Sequence, residues 1–242
     1  MLLSTIYEIL FSKENRNKGI FVLLDPDRTS RKEMVEFLKN ITSREKVKGI
    51  FVGTSLMFSV DFDSFVKKVK KHSKVPVIIF PGSSLQVSKF ADAILFLSLI
   101  SGRNPELLIG EHVRVAPLIK QLEVEAIPTG YMLIDAGKIS SVEFISNTKP
   151  IPRNKPDIAV AHAMAAELLG LKVLYLEAGS GAPVPVPQEI IQAVRESVAL
   201  PLIVGGGLRK REDVEKAFAS GADYVVVGTA FEEGNNFLEE VE

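Results

Sequence analysis

Four stretches of this chain combine residue types that could do chemistry. Leu24-Asp25-Pro26-Asp27 places two carboxylates around a proline. Pro26 biases Asp25 toward extended backbone, and a carboxylate held there is a hard oxygen ligand suited to Mg²⁺. A turn or helix cap is the competing reading of the same aspartate. Gly53-Thr54-Ser55 offers two adjacent hydroxyls that would bind phosphate oxygens, complete a metal shell, or simply turn the chain. Tyr175-Leu176-Glu177-Ala178-Gly179-Ser180-Gly181 closes an apolar run on a carboxylate. In a strand Tyr175 and Glu177 share one face. Burying Glu177 unpaired would be costly, which argues for a task other than packing. The glycines after it let backbone N–H groups approach an anion. The fourth feature is a pair, Val204-Gly205-Gly206-Gly207-Leu208 and Val227-Gly228-Thr229-Ala230. Glycines there would admit a phosphate to the backbone, and a following helix N-terminus would supply partial positive charge.

Positioning these residues falls to a recurring element. Short apolar runs rich in β-branched residues occupy residues 19–24, 49–52, 75–80, 91–97, 124–127, 172–177, 201–204 and 222–227. Continuous apolar runs suit strands buried on both faces, as in a parallel sheet. Between them lie stretches of helical periodicity, over residues 31–40, 62–70, 156–169, 188–198, 212–219 and 236–241. The crossover through residues 83–90 is too short to be a regular helix. Eight strands alternating with crossovers predict a (β/α)8 barrel, with a doubly wound sheet as the other reading. All four chemical features then fall at the C-terminal ends of strands, where such barrels hold their active sites. The glycine pair falls at strands seven and eight, the recurrent phosphate site of the fold. Residues 130–154 are the least regular and read as an elaborated loop, not a domain boundary. The expectation is a single barrel domain over residues 1–242 with an N-terminal helical extension.

Composition excludes several classes. With 29 Lys+Arg against 30 Asp+Glu, the net charge is −1, which argues against a nucleic-acid binder relying on a basic surface. There is no cysteine, hence no disulfide, thiolate metal site or cysteine nucleophile. The three histidines, His72, His112 and His162, are scattered, which makes a zinc site improbable. His72 reads as solvated, and His112 and His162 as ordinary helix residues. No apolar run is long enough to span a membrane. The N-terminal segment lacks a basic leader and a cleavage site, so a cytoplasmic protein is expected.

The motifs resemble those of the geranylgeranylglyceryl phosphate synthases and their bacterial heptaprenylglyceryl phosphate relatives. The resemblance runs from about residue 19 to residue 230. It is carried by Leu24-Asp25-Pro26-Asp27, Phe80-Pro81-Gly82-Ser83, Ser101-Gly102-Arg103-Asn104-Pro105, Ile127-Pro128-Thr129, Pro152-Arg153-Asn154-Lys155-Pro156, the strand-six motif and Val204-Gly205-Gly206-Gly207-Leu208-Arg209. It implies a Mg²⁺-dependent prenyltransferase that joins a prenyl diphosphate, geranylgeranyl being the expected chain, to sn-glycerol 1-phosphate. The product would be an ether-linked prenylglyceryl phosphate, the start of ether-lipid synthesis. By the same resemblance Asp25 and Ser55 hold the metal, with Thr54 as the other hydroxyl in question. Residues Tyr175, Leu176, Glu177, Ala178, Gly179, Ser180 and Gly181, with Gly206, Gly207, Gly228 and Thr229, bind the glycerol phosphate. Glu177 orients or deprotonates the attacking hydroxyl and Tyr175 assists it.

Where some relatives carry a lysine two residues before the first aspartate, this chain has Leu23. Arg209 and Lys155 are the candidate replacement cations. A groove for the prenyl chain is expected around Phe80, Leu85, Phe90, Phe96 and Leu99. A homo-oligomer, dimer or larger, is expected. Two other readings stay open on the residues alone: an isomerase or lyase acting on a small phosphorylated substrate, and a non-enzymatic phosphate-binding barrel.

Overall fold

The computed structural model describes residues 5–30, 33–58 and 61–228. It is a closed barrel of eight parallel strands: β1 (Gly19–Leu24), β2 (Val47–Val52), β3 (Val77–Ile79), β4 (Ala93–Leu99), β5 (Glu125–Leu133), β6 (Val173–Glu177), β7 (Leu202–Gly205) and β8 (Tyr224–Val227). Pairing of β8 with β1, Val226 opposite Phe21, closes the ring and removes the doubly wound alternative. The helices are α1 (Ile6–Phe11), α2 (Glu33–Ile41), α3 (Phe62–His72), α4 (Glu111–Gln121), α5 (Ser141–Ser146), α6 (Pro156–Leu168), α7 (Gln188–Ser197) and α8 (Arg211–Ala219). A single π-helical turn, Glu106–Gly110, leads into α4. No helix lies between β3 and β4. The helix expected over residues 236–241, and Thr229, lie outside the described residues. No described helix is long and apolar enough to cross a membrane.

Strand five departs most from expectation. It runs to Leu133 instead of ending at residue 127. Proline is excluded from central strands because it cannot donate to the ladder. Here the ring nitrogen of Pro128 points to the β6 side, where its own carbonyl accepts the Lys172 N–H at 2.8 Å. Pairing with β6 begins only at Thr129 opposite Val173, so the missing N–H falls before the ladder starts. The added length brings Tyr131 level with Tyr175 on β6, and Leu133 level with Glu177.

Strand alternation divides the core in two. One apolar layer lies between the barrel and its helices. The other fills the barrel and is unusually aromatic. Phe21 stacks on Phe51 at 4.3 Å, Phe51 meets Phe80 at 5.8 Å, Phe80 stacks on Tyr175 at 5.0 Å, and Tyr175 on Tyr131 at 5.4 Å. Such offset and tilted pairs are favoured by ring quadrupoles beyond the area they bury. The N-terminal foot of the barrel is closed by α1, whose Phe11 packs edge-on against Tyr224 at 5.2 Å. The Glu125 carboxylate pins this helix by accepting the N–H groups of Ile6 and Tyr7 at 2.6 and 2.9 Å. Those donors have no partner inside the helix, and a carboxylate at a helix N-terminus is doubly suited to them. With the foot plugged, access to the interior is from the other end.

Candidate active site

At that end a cavity of about 660 Å³ opens. It runs from the glycines after β7 and β8, across the top of the barrel, to the inner side of α4.

Glu177 is the last residue of β6, and only 6% of it is exposed. Its Oε1 accepts the Gly179 N–H at 2.6 Å. The Tyr175 hydroxyl donates to the same carboxylate. Burial outweighs both donors and raises its pKa to about 7, so it exchanges a proton near neutrality. Tyr175 and Tyr131 move the other way from usefulness as acids: burial, and then the Glu177 charge, push both phenols well above the ordinary range. They stay protonated, and Tyr175 serves as a donor.

Gly206 explains why the strand-seven motif needs glycine. Its φ is +82°, a region side chains rarely adopt. A methyl there would stand 2.3 Å from Glu177 Oε1 and 2.6 Å from the Gly179 nitrogen. The backbone after β7 thus lies directly on the carboxylate.

The expected glycerol phosphate residues divide. Tyr175, Glu177, Ser180, Gly181, Gly206, Gly207 and Gly228 face the cavity. Leu176 and Ala178 do not, because strand alternation turns their side chains into the layer beneath the helices. The Gly179 N–H is already engaged by Glu177. Of the two candidate cations, Arg209 lines the cavity and donates to the Gly181 carbonyl at 3.2 Å. Lys155 precedes α6 and lies away from the cavity. Arg28, not singled out from sequence, is a second cavity cation, 3.9 Å from Asp25. Leu23 lines the cavity beside Gly228.

Across the mouth, Asp25, Thr54 and Ser55 also face the cavity. Asp25 Oδ1 accepts the Asp27 N–H at 2.9 Å. Asp27 itself accepts the Phe58 N–H at 2.8 Å, so its carboxylate ties the first loop to the second. The Thr54 hydroxyl points to the Leu56 carbonyl at 3.4 Å, whereas Ser55 has no hydrogen-bond partner among the described residues. No group of three or more His, Asp or Glu side chains suited to a metal occurs among the described residues. One carboxylate and one or two hydroxyls do not enclose an ion. They fit Mg²⁺, which keeps several waters and is bound by one or two carboxylates together with substrate phosphates.

Gln86, which the sequence reading did not single out, builds this side. It is buried between the loops after β2 and β3. Its amide donates to the Thr54 carbonyl at 2.8 Å and accepts from the Thr54 and Gly82 N–H groups at 3.1 and 3.3 Å. The two loops cross so closely that a methyl on Gly53 would fall 1.8 Å from the Phe80 carbonyl oxygen. A lone glutamine in an irregular crossover gives no pattern by which to find it. Tyr131 was missed for a different reason, because strand five was ended too early.

The apolar branch is lined by Phe96, Leu97, Leu99, Leu107, Val115 and Val142. Phe80 and Phe96 take the expected places, but Leu85 and Phe90 do not. Leu85 projects to solvent, and Phe90 lies outside the cavity beneath Lys67 and Lys89, 5.1 and 5.4 Å from its ring. His112 lines the branch, contrary to its bland reading. Its ring stands edge-on to Phe96 at 4.5 Å, Nε2 is 3.1 Å from the Ser98 hydroxyl, and burial lowers its pKa. His162, by contrast, hydrogen-bonds its own helix, Nδ1 to the Ile158 carbonyl at 2.7 Å.

A buried carboxylate poised near neutrality, a glycine-lined end and an apolar branch share one cavity of a (β/α)8 barrel, an arrangement suited to an amphiphilic substrate. The comparisons with known proteins agree. The pattern of the PcrB family matches residues 12–242. The geranylgeranylglyceryl phosphate synthase of Chitinophaga pinensis is 47% identical over 93% of this chain and 88% of its own. That of Flavobacterium johnsoniae is 44% identical over 98% of both chains. The crystal structure of (S)-3-O-geranylgeranylglyceryl phosphate synthase from Thermoplasma acidophilum, in complex with its substrate sn-glycerol-1-phosphate, superposes with a TM-score of 0.89 at 30% identity, covering 99% of this chain and 97% of that one. The chain belongs to this family, that of PcrB and the geranylgeranylglyceryl phosphate synthases.

Proposed function

We propose that this protein transfers a prenyl group, geranylgeranyl being the expected one, from its diphosphate to a hydroxyl of sn-glycerol 1-phosphate. The observation that carries the reading is the placement of Glu177 between a glycine-lined anion site and an apolar branch in one cavity. The glycerol phosphate sits with its phosphate at the backbone of Gly206, Gly207 and Gly228, helped by Ser180 and Arg209. This brings its free hydroxyl to Glu177. The hydroxyl oxygen forms a bond to C1 of the prenyl group as the bond from C1 to diphosphate breaks. The proton passes to the Glu177 carboxylate, and the bonding pair leaves with diphosphate. A base with a pKa of about 7 suits this step, since general-base catalysis is most effective near the operating pH. Positive charge that develops on the allylic carbon is stabilised by the same carboxylate. The hydroxyl of Tyr175 keeps Glu177 aimed.

Asp25 and Ser55, with Thr54 beside them, would hold Mg²⁺ against the diphosphate. The ion would neutralise charge on the leaving group. Arg28 is placed to share that task. The aromatic and aliphatic walls of the apolar branch would receive the prenyl chain. We also assign a cytoplasmic homo-oligomer. The second point is supported by apolar residues exposed on the π-helical turn before α4 (Ile109), on α4 (Val113) and on α6 (Met164, Leu168), which mark association surfaces in soluble folds.

The test is diphosphate release by purified protein given Mg²⁺, sn-glycerol 1-phosphate and prenyl diphosphates of increasing length. Release that depends on both substrates supports the reading. Binding of glycerol phosphate with no release at any length contradicts it.

A further inference from the structure

Most of the exposed large apolar residues of this protein fall into two groups. One lies on the flanks, along α4 and α6. The other rings the cavity mouth on three separate loops. After β2 stands Phe58, 80% exposed; after β3, Leu85, 75%; after β5, Ile139 and Phe144, 70% and 77%. Leu56 and Ile145 add to the same rim. Phe58, Ile139 and Phe144 also line the cavity, so the rim is continuous with the apolar interior. Apolar side chains gathered on loops around one opening mark an interaction surface.

Charge accompanies them. Lys138 and Lys149 are exposed on the connection after β5, beside Ile139 and Phe144, and neither forms an ion pair among the described residues. An apolar rim with free lysines beside it matches an anionic lipid surface, where side chains enter the acyl boundary and cations meet the headgroups. A protein partner seated on this rim would block the entrance. A bilayer would instead supply through it a substrate whose hydrocarbon tail partitions into lipid.

From these features we infer that the mouth of the barrel docks on anionic membranes, with Phe58, Leu85, Ile139 and Phe144 inserted and Lys138 and Lys149 at the headgroups. The prenyl diphosphate would enter from the bilayer. This deepens the proposed function and rests on it for the identity of the lipid. The docking itself is measurable without any substrate.

The chain contains no tryptophan, so a single introduced one reports its own surroundings. Leu85→Trp is placed on the rim outside the cavity. Ile9→Trp is placed on α1 at the opposite end. The probe is a vesicle of phosphatidylcholine mixed with phosphatidylglycerol, against vesicles of phosphatidylcholine alone. Emission of Leu85→Trp is expected to shift to the blue with the anionic vesicles and to return when salt screens the surface. That of Ile9→Trp stays unchanged. Adding Lys138→Glu and Lys149→Glu to the rim reporter weakens vesicle affinity about tenfold or more, while diphosphate release measured without vesicles stays at the parent level. An unmoved rim reporter, or equal shifts at both ends, overturns the inference. So does a blue shift that grows with protein concentration in the absence of vesicles, which would assign the rim to self-association. If docking fails while diphosphate is released, only the docking is lost. If vesicles bind but no diphosphate is released in solution, the functional reading falls instead.

Discussion

The two halves of the cavity are built on different principles. On the β6–β8 side, everything is pre-arranged. Glu177 is buried, both of its donors come from its own strand and the turn after it, and the backbone at Gly206 leaves no room for a side chain. On the β1–β4 side, Asp25 is half paired, Ser55 has no partner among the described residues, and the walls beyond are hydrocarbon and partly open. Proton transfer gains most from fixed groups in a dry site. A prenyl diphosphate would bring its own counter-ion and its own apolar surface, so its half of the cavity need only complete them. The difference separates the residues whose loss should abolish chemistry from those whose loss should weaken binding.

The largest effect is expected on the pre-arranged side. Glu177→Gln should lower turnover by about 10³-fold, within the usual range for a general base. The same change tests the cost of the site. Because burial raises the folded-state pKa of Glu177 from 4.5 to about 7, the folded protein binds the proton more tightly than the unfolded chain. Stability therefore falls as pH rises from 4.5 through about 7. Glu177→Gln should then melt higher than the parent above that range, by up to about 3 kcal/mol of stability, and no higher below it. Thermal melts across pH would show this directly. Parallel melting curves at every pH would mean that the carboxylate is not held under burial stress.

Next in size, Asp25→Asn should cut turnover by about 10²-fold and shift the Mg²⁺ dependence to higher concentrations, leaving glycerol phosphate binding intact. A titration of rate against Mg²⁺ separates this from general damage. Gln86→Leu should act on the same side but one step removed. It strands the Thr54 amide and carbonyl, at about 1–3 kcal/mol of stability. The KM for prenyl diphosphate should rise several-fold while that for glycerol phosphate holds. An equal rise in both would show that the loop clamp serves the whole mouth. The smallest effect is expected from Arg209→Met, a few-fold rise in the KM for glycerol phosphate, since a partly exposed cation contributes little.

Much of this was legible in the residues. Eight apolar runs carried the barrel, and the glycines after strands seven and eight marked backbone that lines the cavity, because buried parallel strands and close backbone approach both leave strong marks. Glu177 was legible since an acidic residue ending an apolar strand has few structural excuses. What escaped was context. Strand five was ended at residue 127, though the missing N–H of Pro128 faces a neighbour that has not yet begun, and Tyr131 was lost with it. Gln86 and His112 became visible only when loops distant in sequence were brought together. Leu85 and Phe90, apolar and near the right strands, were drawn into a groove from which folding excludes them, since hydrophobicity alone does not tell a lining residue from an exposed one.

The central claim is that Glu177 accepts the proton as the ether bond forms. It is tested most directly by following diphosphate release against pH, with Mg²⁺, geranylgeranyl diphosphate and sn-glycerol 1-phosphate, in the parent and in Glu177→Gln. The account predicts release only with glycerol phosphate present, rising with pH to half its maximum at about 7 in the parent, and nearly absent and flat in the variant. Release without glycerol phosphate, or an unchanged pH profile in Glu177→Gln, would contradict it.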